Sequence, residues 1–219
     1  MKKISLYLII TLATILVLPM ITEAQDAVKN QANRKNMHRE LPDDKYMAGA
    51  NDNALTSPAY TKEGTLYFTT QVNLNDDGNN IVNDAANEPS IAIDPTNPNR
   101  MVIGWRQFDN INSNFRQAGY GYTSDAGQTW TFPGVINPGV FRSDPVLDCN
   151  SEGTFFYNSL TVDDVGNYTC NVYRNEPGTF NWDNGVLAHG GDKQWMVIDR
   201  TGGMGEGHVY SFWTSYYTS

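Results

Sequence analysis

Cysteine is scarce in this chain of 219 residues: Cys149 and Cys170 are the only two. Two cysteines cannot make a disulfide scaffold, so the fold has to rest on a hydrophobic core. Basic residues are few as well. Fifteen Lys and Arg stand against 24 Asp and Glu, for a formal charge of −9. That balance argues against nucleic acid as a partner, because phosphates need a basic patch. It suits neutral glycans, protein partners and calcium. His38, His189 and His208 lie too far apart for paired metal-ligand spacing. No phosphate-binding glycine loop is present. "HGGD" (189–192) has no G-x-S-x-G nucleophile elbow to accompany it. Long helical periodicity is missing, and a single apolar run reaches membrane-spanning length.

That run is N-terminal. Lys2 and Lys3 precede an apolar stretch from Ile4 to Ile21, and Thr22-Glu23-Ala24 supplies a small-residue cleavage site. Residues 1–24 read as a secretory signal peptide cut after Ala24. The mature chain is then expected outside the cytoplasm: secreted, periplasmic or at the cell surface, with no membrane span after cleavage. Residues 25–57 are polar and poor in core-forming side chains, and read as a flexible or surface-draped lead-in.

Turn formers and aromatics dominate what remains. Gly, Asn, Asp and Pro punctuate short runs of β-branched and aromatic residues, the pattern of an all-β protein with many tight turns. Three segments resemble one another: "EPSIAIDPTNPNRMVIGWRQF" (88–108), "DPVLDCNSEGTFFYNSLTV" (144–162) and "KQWMVIDRTGGMGEGHVYSFWTSYY" (193–217). Asp94, Asn150 and Asp199 fall at equivalent positions, 56 and 49 residues apart. A period near fifty with several short strands suggests a β-propeller blade. In the first period "PSIAID" is the expected innermost strand, apolar enough to be covered on both faces. "MVIGWRQF", "QAGYGYTS" and "TWTFPGV" follow outward. "LYFTTQVN" (66–73) is a candidate for the strand that closes a ring. In the second period the outer hairpin falls at "NVYRNEPGTFNW" (171–182).

The hairpin between the third and outer strands reads "TSDAGQTW" (123–130). With Thr123, Asp125, Gly127, Thr129 and Trp130 it resembles the Asp-box of the bacterial-neuraminidase repeat, a motif of sialidases and many other propellers. Gly178 and Trp182 give a degraded second copy, with Glu176 in place of the Asp. The resemblance covers roughly residues 65–217. It implies a sialidase-like propeller of four-stranded blades over residues 58–219, of which this length supplies about two and a half at about fifty residues each. An N-terminal portion of a longer protein is the expectation, with pairing to a second chain as the alternative. The physics of the box is structural. Gly127 supplies positive φ, Asp125 accepts amides of its own turn, and Trp130 buries apolar surface beneath it.

The resemblance also implies where chemistry would sit. In sialidases three arginines clamp the substrate carboxylate, an Asp is acid/base, and a Tyr activated by a Glu is the nucleophile. Arg142, in "FRSDPVL", is the candidate first clamp residue, one residue longer than the family motif and lacking its Ile; Arg106 and Arg116 are further candidates. No place for the Tyr/Glu pair is recognisable. Glu88, Asp144 and Asp192 precede or begin innermost strands, so in blades they would ring one end of the channel as ligand-binding candidates. "NLNDDGNNIVND" (73–84) approaches a calcium loop through Asn73, Asn75, Asp77 and Asp84. The expected function is a glycan- or protein-binding scaffold outside the cell; the alternative is an exo-sialidase-type glycoside hydrolase. Cys149 and Cys170 would flank an intervening strand at about 9 to 10 Å, too far to bridge. Two free, partly buried thiols are expected.

Overall fold

The computed structural model describes residues 43–49, 54–64, 66–164 and 166–214. The expected signal peptide lies outside them. The described residues form strands and turns, with no helix, and the strands pair antiparallel throughout. Two short strand pairs come first: β1 (Thr56–Ser57) pairs with β4 (Asn80–Ile81), and β2 (Thr61–Glu63) pairs with β3 (Phe68–Thr70). The first four-stranded sheet follows in simple up-and-down order: β5 (Ala85–Ile93), β6 (Met101–Phe108), β7 (Gln117–Thr123) and β8 (Thr131–Ile136). The second repeats that order with β9 (Ser143–Cys149), β10 (Phe155–Val162), β11 (Tyr168–Asn175) and β12 (Val186–Leu187). A third, two-stranded sheet holds β13 (Trp195–Ile198) and β14 (Val209–Phe212).

Each repeat opens the same way. Asp94, Asn150 and Asp199 end their strands and accept the amide two residues on, from Thr96 (2.8 Å), Glu152 (3.1 Å) and Thr201 (2.9 Å). These are side-chain-capped turns, which reverse the chain without leaving an orphan amide. The sheets stack through alternating faces. Ala92, Val102, Ala118 and Ile136 of the first meet Leu147, Cys149, Phe155, Tyr157 and Tyr173 of the second in one buried cluster. Val146 and Phe156, on the other face of the second sheet, meet Met196 and Ile198 of the third. β9, the first strand of the second repeat, is therefore covered on both faces.

Three expectations change. The innermost strand of the first repeat, β5, is not covered on both faces: Ala92 is buried, but Ile91 and Ile93 are exposed. Its apolar sequence suits a neighbour that the described residues do not supply. "LYFTTQVN" joins no closed ring among the described residues. Phe68–Thr70 pairs with β2, and Val72 lies over Gly121 on the outer face of the first sheet. The outer strand of the second repeat starts later than expected, at Val186. "TFNW" instead crosses to the first sheet, where Phe180 stacks on Tyr122 at 3.9 Å and Trp182 meets Tyr120 edge-on at 5.8 Å. Trp182 is thus an inter-sheet wedge rather than the floor of its own turn. Part of the polar lead-in lies against the first sheet: Asp43 pairs with Arg116 at 2.6 Å and Tyr46 packs on Phe115.

Cys149 and Cys170 are free and fully buried, on β9 and β11 with β10 between them. Burial pushes both thiols up to about 12. Neither should react with iodoacetamide in native protein at pH 8, and both should alkylate once it is unfolded, as mass spectrometry of the quenched samples would read. Rapid native labelling of either would contradict the packing.

Candidate functional site

The three repeats converge where their first strands begin. Glu88, Asp144 and Lys193 stand six residues before Asp94, Asn150 and Asp199, and all three are left-handed, with φ of 52°, 46° and 57°. A left-handed non-glycine residue costs about 1–3 kcal/mol and persists only where its surroundings over-determine it. In β5 and β9 the residue sits in a β-bulge, between Asn87 and Ser90 and opposite the Asn158 to Leu160 shift. Proline follows in both (Pro89, Pro145), so no amide is wasted where the ladder is broken. Bulges re-aim side chains. Here they bring Glu88, Asp144 and Lys193 to one cleft of about 310 Å³, also lined by Ser90, Gln194 and Trp195.

Charges of both signs hold the cleft. Arg106, on β6, pairs with Glu88 at 3.0 Å and donates to Asn87 at 2.8 Å. Asp144 accepts from Ser143 Oγ at 2.7 Å and lies 3.7 Å from Lys193 Nζ. Arg116 donates to Ser143 Oγ at 3.2 Å, so it stands behind Asp144 rather than in the cleft. Gln194 is buried, and its Nε2 donates to the Asp144 carbonyl. Its Oε1 is buried and has no partner among the described residues. Trp195 stays largely exposed beside it.

The sequence-derived candidates divide accordingly. Glu88 and Asp144 line the cleft, and Arg106 and Arg116 reach it through them. Asp192 stands one residue too early; Lys193 takes the repeat-equivalent position and pairs loosely with Asp192 at 3.9 Å. Arg142 is buried between the sheets. It donates to Asn171 Oδ1 at 2.9 Å and packs over the Tyr173 ring at 5.3 Å, and it does not line the cleft. Burial lowers its pKa. Lys193, Gln194 and Trp195 were not anticipated. Counting back six residues from Asp199 would have found Lys193, with Gln194 and Trp195 following it in sequence.

The Thr123–Trp130 turn joins β7 to β8. Thr123 Oγ1 donates to Asp125 Oδ1 at 2.7 Å and accepts the Gly127 amide at 3.1 Å. Asp125 in turn accepts the Thr129 hydroxyl at 2.6 Å and the Thr129 amide at 2.9 Å. Gly127 has φ 83°, and Trp130 lies against it while donating to its carbonyl at 3.1 Å. The Thr129 hydroxyl and amide, then the Thr123 hydroxyl, hold the Asp125 carboxyl down at about 2. A depressed carboxyl stabilises the fold above its unfolded pKa of about 4, and the effect fades as pH falls toward 2. Asp125→Ala should lower the melting temperature by a few degrees at pH 7, with the gap to wild type closing near pH 2. An unchanged gap would separate the turn's stability from its charge.

The calcium-like stretch is a turn closed on itself. Asn75 Oδ1 accepts the Asn79 amide at 2.8 Å, and Asn73 donates to Asp84 at 3.4 Å. Asp77 is exposed. Among the described residues no group of three or more His, Cys, Asp or Glu is placed to hold a metal ion. No family model matches the chain, and no curated protein matches it significantly.

Proposed function

We propose that the chain is a secreted propeller-type scaffold of the Asp-box kind and that its cleft binds a neutral glycan. The observation that carries this is the convergence of three left-handed, repeat-equivalent residues on one cleft. Strain of that sort collects where a ligand is held. Two four-stranded antiparallel sheets in up-and-down order, stacked through their innermost strands with a third sheet behind, support the blade reading. The lining chemistry supports the ligand. An exposed Trp195 offers a flat apolar face to the C–H side of a sugar ring. Carboxylates at Glu88 and Asp144 accept from its hydroxyls. Glu88 and Asp144 are balanced by Arg106 and Lys193, so the lining offers no surplus positive charge to an anionic sugar, which suits a neutral glycan better than a sialoside.

Calorimetric titration with neutral oligosaccharides and a matched sialoside tests the reading. Neutral sugars should bind and the sialoside should not. Asp144→Asn keeps the side chain's shape and tolerates the left-handed backbone, so affinity should drop about tenfold, equivalent to one charge-assisted hydrogen bond, at an unchanged melting temperature. Release of fluorophore from a sialoside substrate would replace the scaffold with the hydrolase.

A further inference from the structure

A strap from the polar lead-in reaches the cleft from behind. Residues 43–47 lie on the loop between β6 and β7. The Asp44 amide donates to Asn114 Oδ1 at 2.6 Å, and the Asn114 amide donates to Asp44 Oδ2 at 3.0 Å, a reciprocal tie. Tyr46 packs on Phe115 at 5.5 Å and on Gly139, where a Cβ would come within 3.1 Å of its ring. Asp43, ahead of both, meets Arg116 at 2.6 Å. A relay to the cleft starts there. Arg116 Nε donates to Ser143 Oγ at 3.2 Å, and Ser143 Oγ donates to Asp144 Oδ1 at 2.7 Å. A serine hydroxyl has one proton and two lone pairs. Arg116 fills a lone pair, so the proton points at Asp144. One guanidinium thus stands between two carboxylates, in contact with Asp43 and one hydroxyl away from Asp144.

We propose that this strap sets the state of the cleft. With the strap docked, Asp43 holds Arg116 back, and Asp144 presents its Oδ2 edge, 3.7 Å from Lys193 Nζ, to the ligand. With the strap lifted, Arg116 turns past Ser143 onto Asp144 and competes with the ligand for it, since a guanidinium fork suits either carboxylate. Three features favour this. The Asp43 and Arg116 side chains are 23% and 12% exposed, so solvent screens their attraction incompletely. The Phe141 ring, 4.8 Å from the guanidinium, keeps the charge between its two partners. The anchors of the strap, Asn114 and Phe115, immediately precede Arg116, so lifting the strap loosens the residue it controls. Asp43 and Arg116 are positioning residues that act through Asp144, and their role rests on the glycan reading of the cleft.

Two measurements keep the strap and the ligand apart. Crystals of the Asp43→Ala chain grown without sugar should show Arg116 bonded to the Asp144 carboxylate. A guanidinium still on Ser143 overturns the proposal, whatever the cleft binds. Calorimetry with neutral oligosaccharides then reads the competition. Asp43→Ala should bind about tenfold more weakly, the worth of one charge-assisted hydrogen bond. Asp43→Glu, which keeps the carboxylate, should bind as wild type does. Asp43→Ala combined with Arg116→Gln should recover most of the loss, because the competing charge is gone. A strap that served stability alone would leave the double variant no better than Asp43→Ala, and that result also overturns the proposal. A wild type that binds no neutral sugar removes the glycan reading, and the ligand-free crystals then decide the strap by themselves.

Discussion

Replacing Arg100 with alanine should cost about 3–5 kcal/mol of unfolding free energy, the range for removing one member of a buried ion pair. Arg100 and Asp94 are both buried and pair at 3.2 Å in the turn between β5 and β6. The guanidinium then reaches across to the second sheet. It donates to the Gly153 carbonyl at 2.7 Å, Asn175 Oδ1 at 2.6 Å and the Thr179 carbonyl at 2.7 Å, and lies 4.4 Å from the Phe155 ring centroid. One side chain thus fastens two sheets. Burial pushes the Asp94 carboxyl up, but the Thr96 hydroxyl and amide and Arg100 outweigh it, so its pKa falls. The clamp is therefore complete above the usual aspartate range and weakens as pH drops below it. Arg100→Lys should recover little, since an ammonium cannot fork to four acceptors. Urea denaturation of the three proteins reads this directly. A loss under about 1 kcal/mol for Arg100→Ala, the level of an exposed pair, would mean the clamp is not holding the sheets.

Arg100 also shows where sequence reading stops. "DPTNPNR" announces a turn, and the turn is there. Nothing local says that the charge closing it points inward across 50 to 80 residues of sequence. The strands of the first repeat were legible because alternation, Gly and Asn report backbone geometry, which is local. β6, β7 and β8 fall where "MVIGWRQF", "QAGYGYTS" and "TWTFPGV" put them. Trp182 was misplaced for the same reason as Arg100. It follows Gly178 by four residues where Trp130 follows Gly127 by three, and the Asp that would tie the turn is Glu176, whose side chain instead bonds Thr154 and Arg174. With no tie, the segment is free to pack its aromatics between sheets. The cleft was half legible. Glu88 and Asp144 precede proline, a visible mark of a broken ladder, whereas Lys193 precedes Gln194 and carries no such mark. Only the repeat register finds it. Arg142 shows the limit of motif transfer, since a side chain matched by sequence lies between sheets in the fold.

Tyr157→Ala should be the second large loss, about 3–5 kcal/mol for deleting a buried aromatic ring. Tyr157 is fully buried on β10, donates to the Gly119 carbonyl at 3.2 Å and meets Trp182 edge-on at 5.6 Å. Its ring occupies space that a side chain at position 104 would need. A Cβ on Gly104 would come within 2.5 Å of Tyr157 and 2.7 Å of Leu147. The glycine in "MVIGWRQF" is thus there for close approach between two sheets. Gly104→Ala should cost about 1–3 kcal/mol by overpacking, and Tyr157→Phe about 1 kcal/mol for the lost hydrogen bond. Combining the two larger changes separates contact from coincidence. If the ring and the missing methyl share one space, the cavity left by Tyr157→Ala accepts the Gly104→Ala methyl. The double variant should then be more stable than the sum of the single losses predicts, by about 0.5–3 kcal/mol, as residues in contact are. Strict additivity in urea midpoints would place the two residues in separate environments and undo the account of how the first sheet is seated on the second.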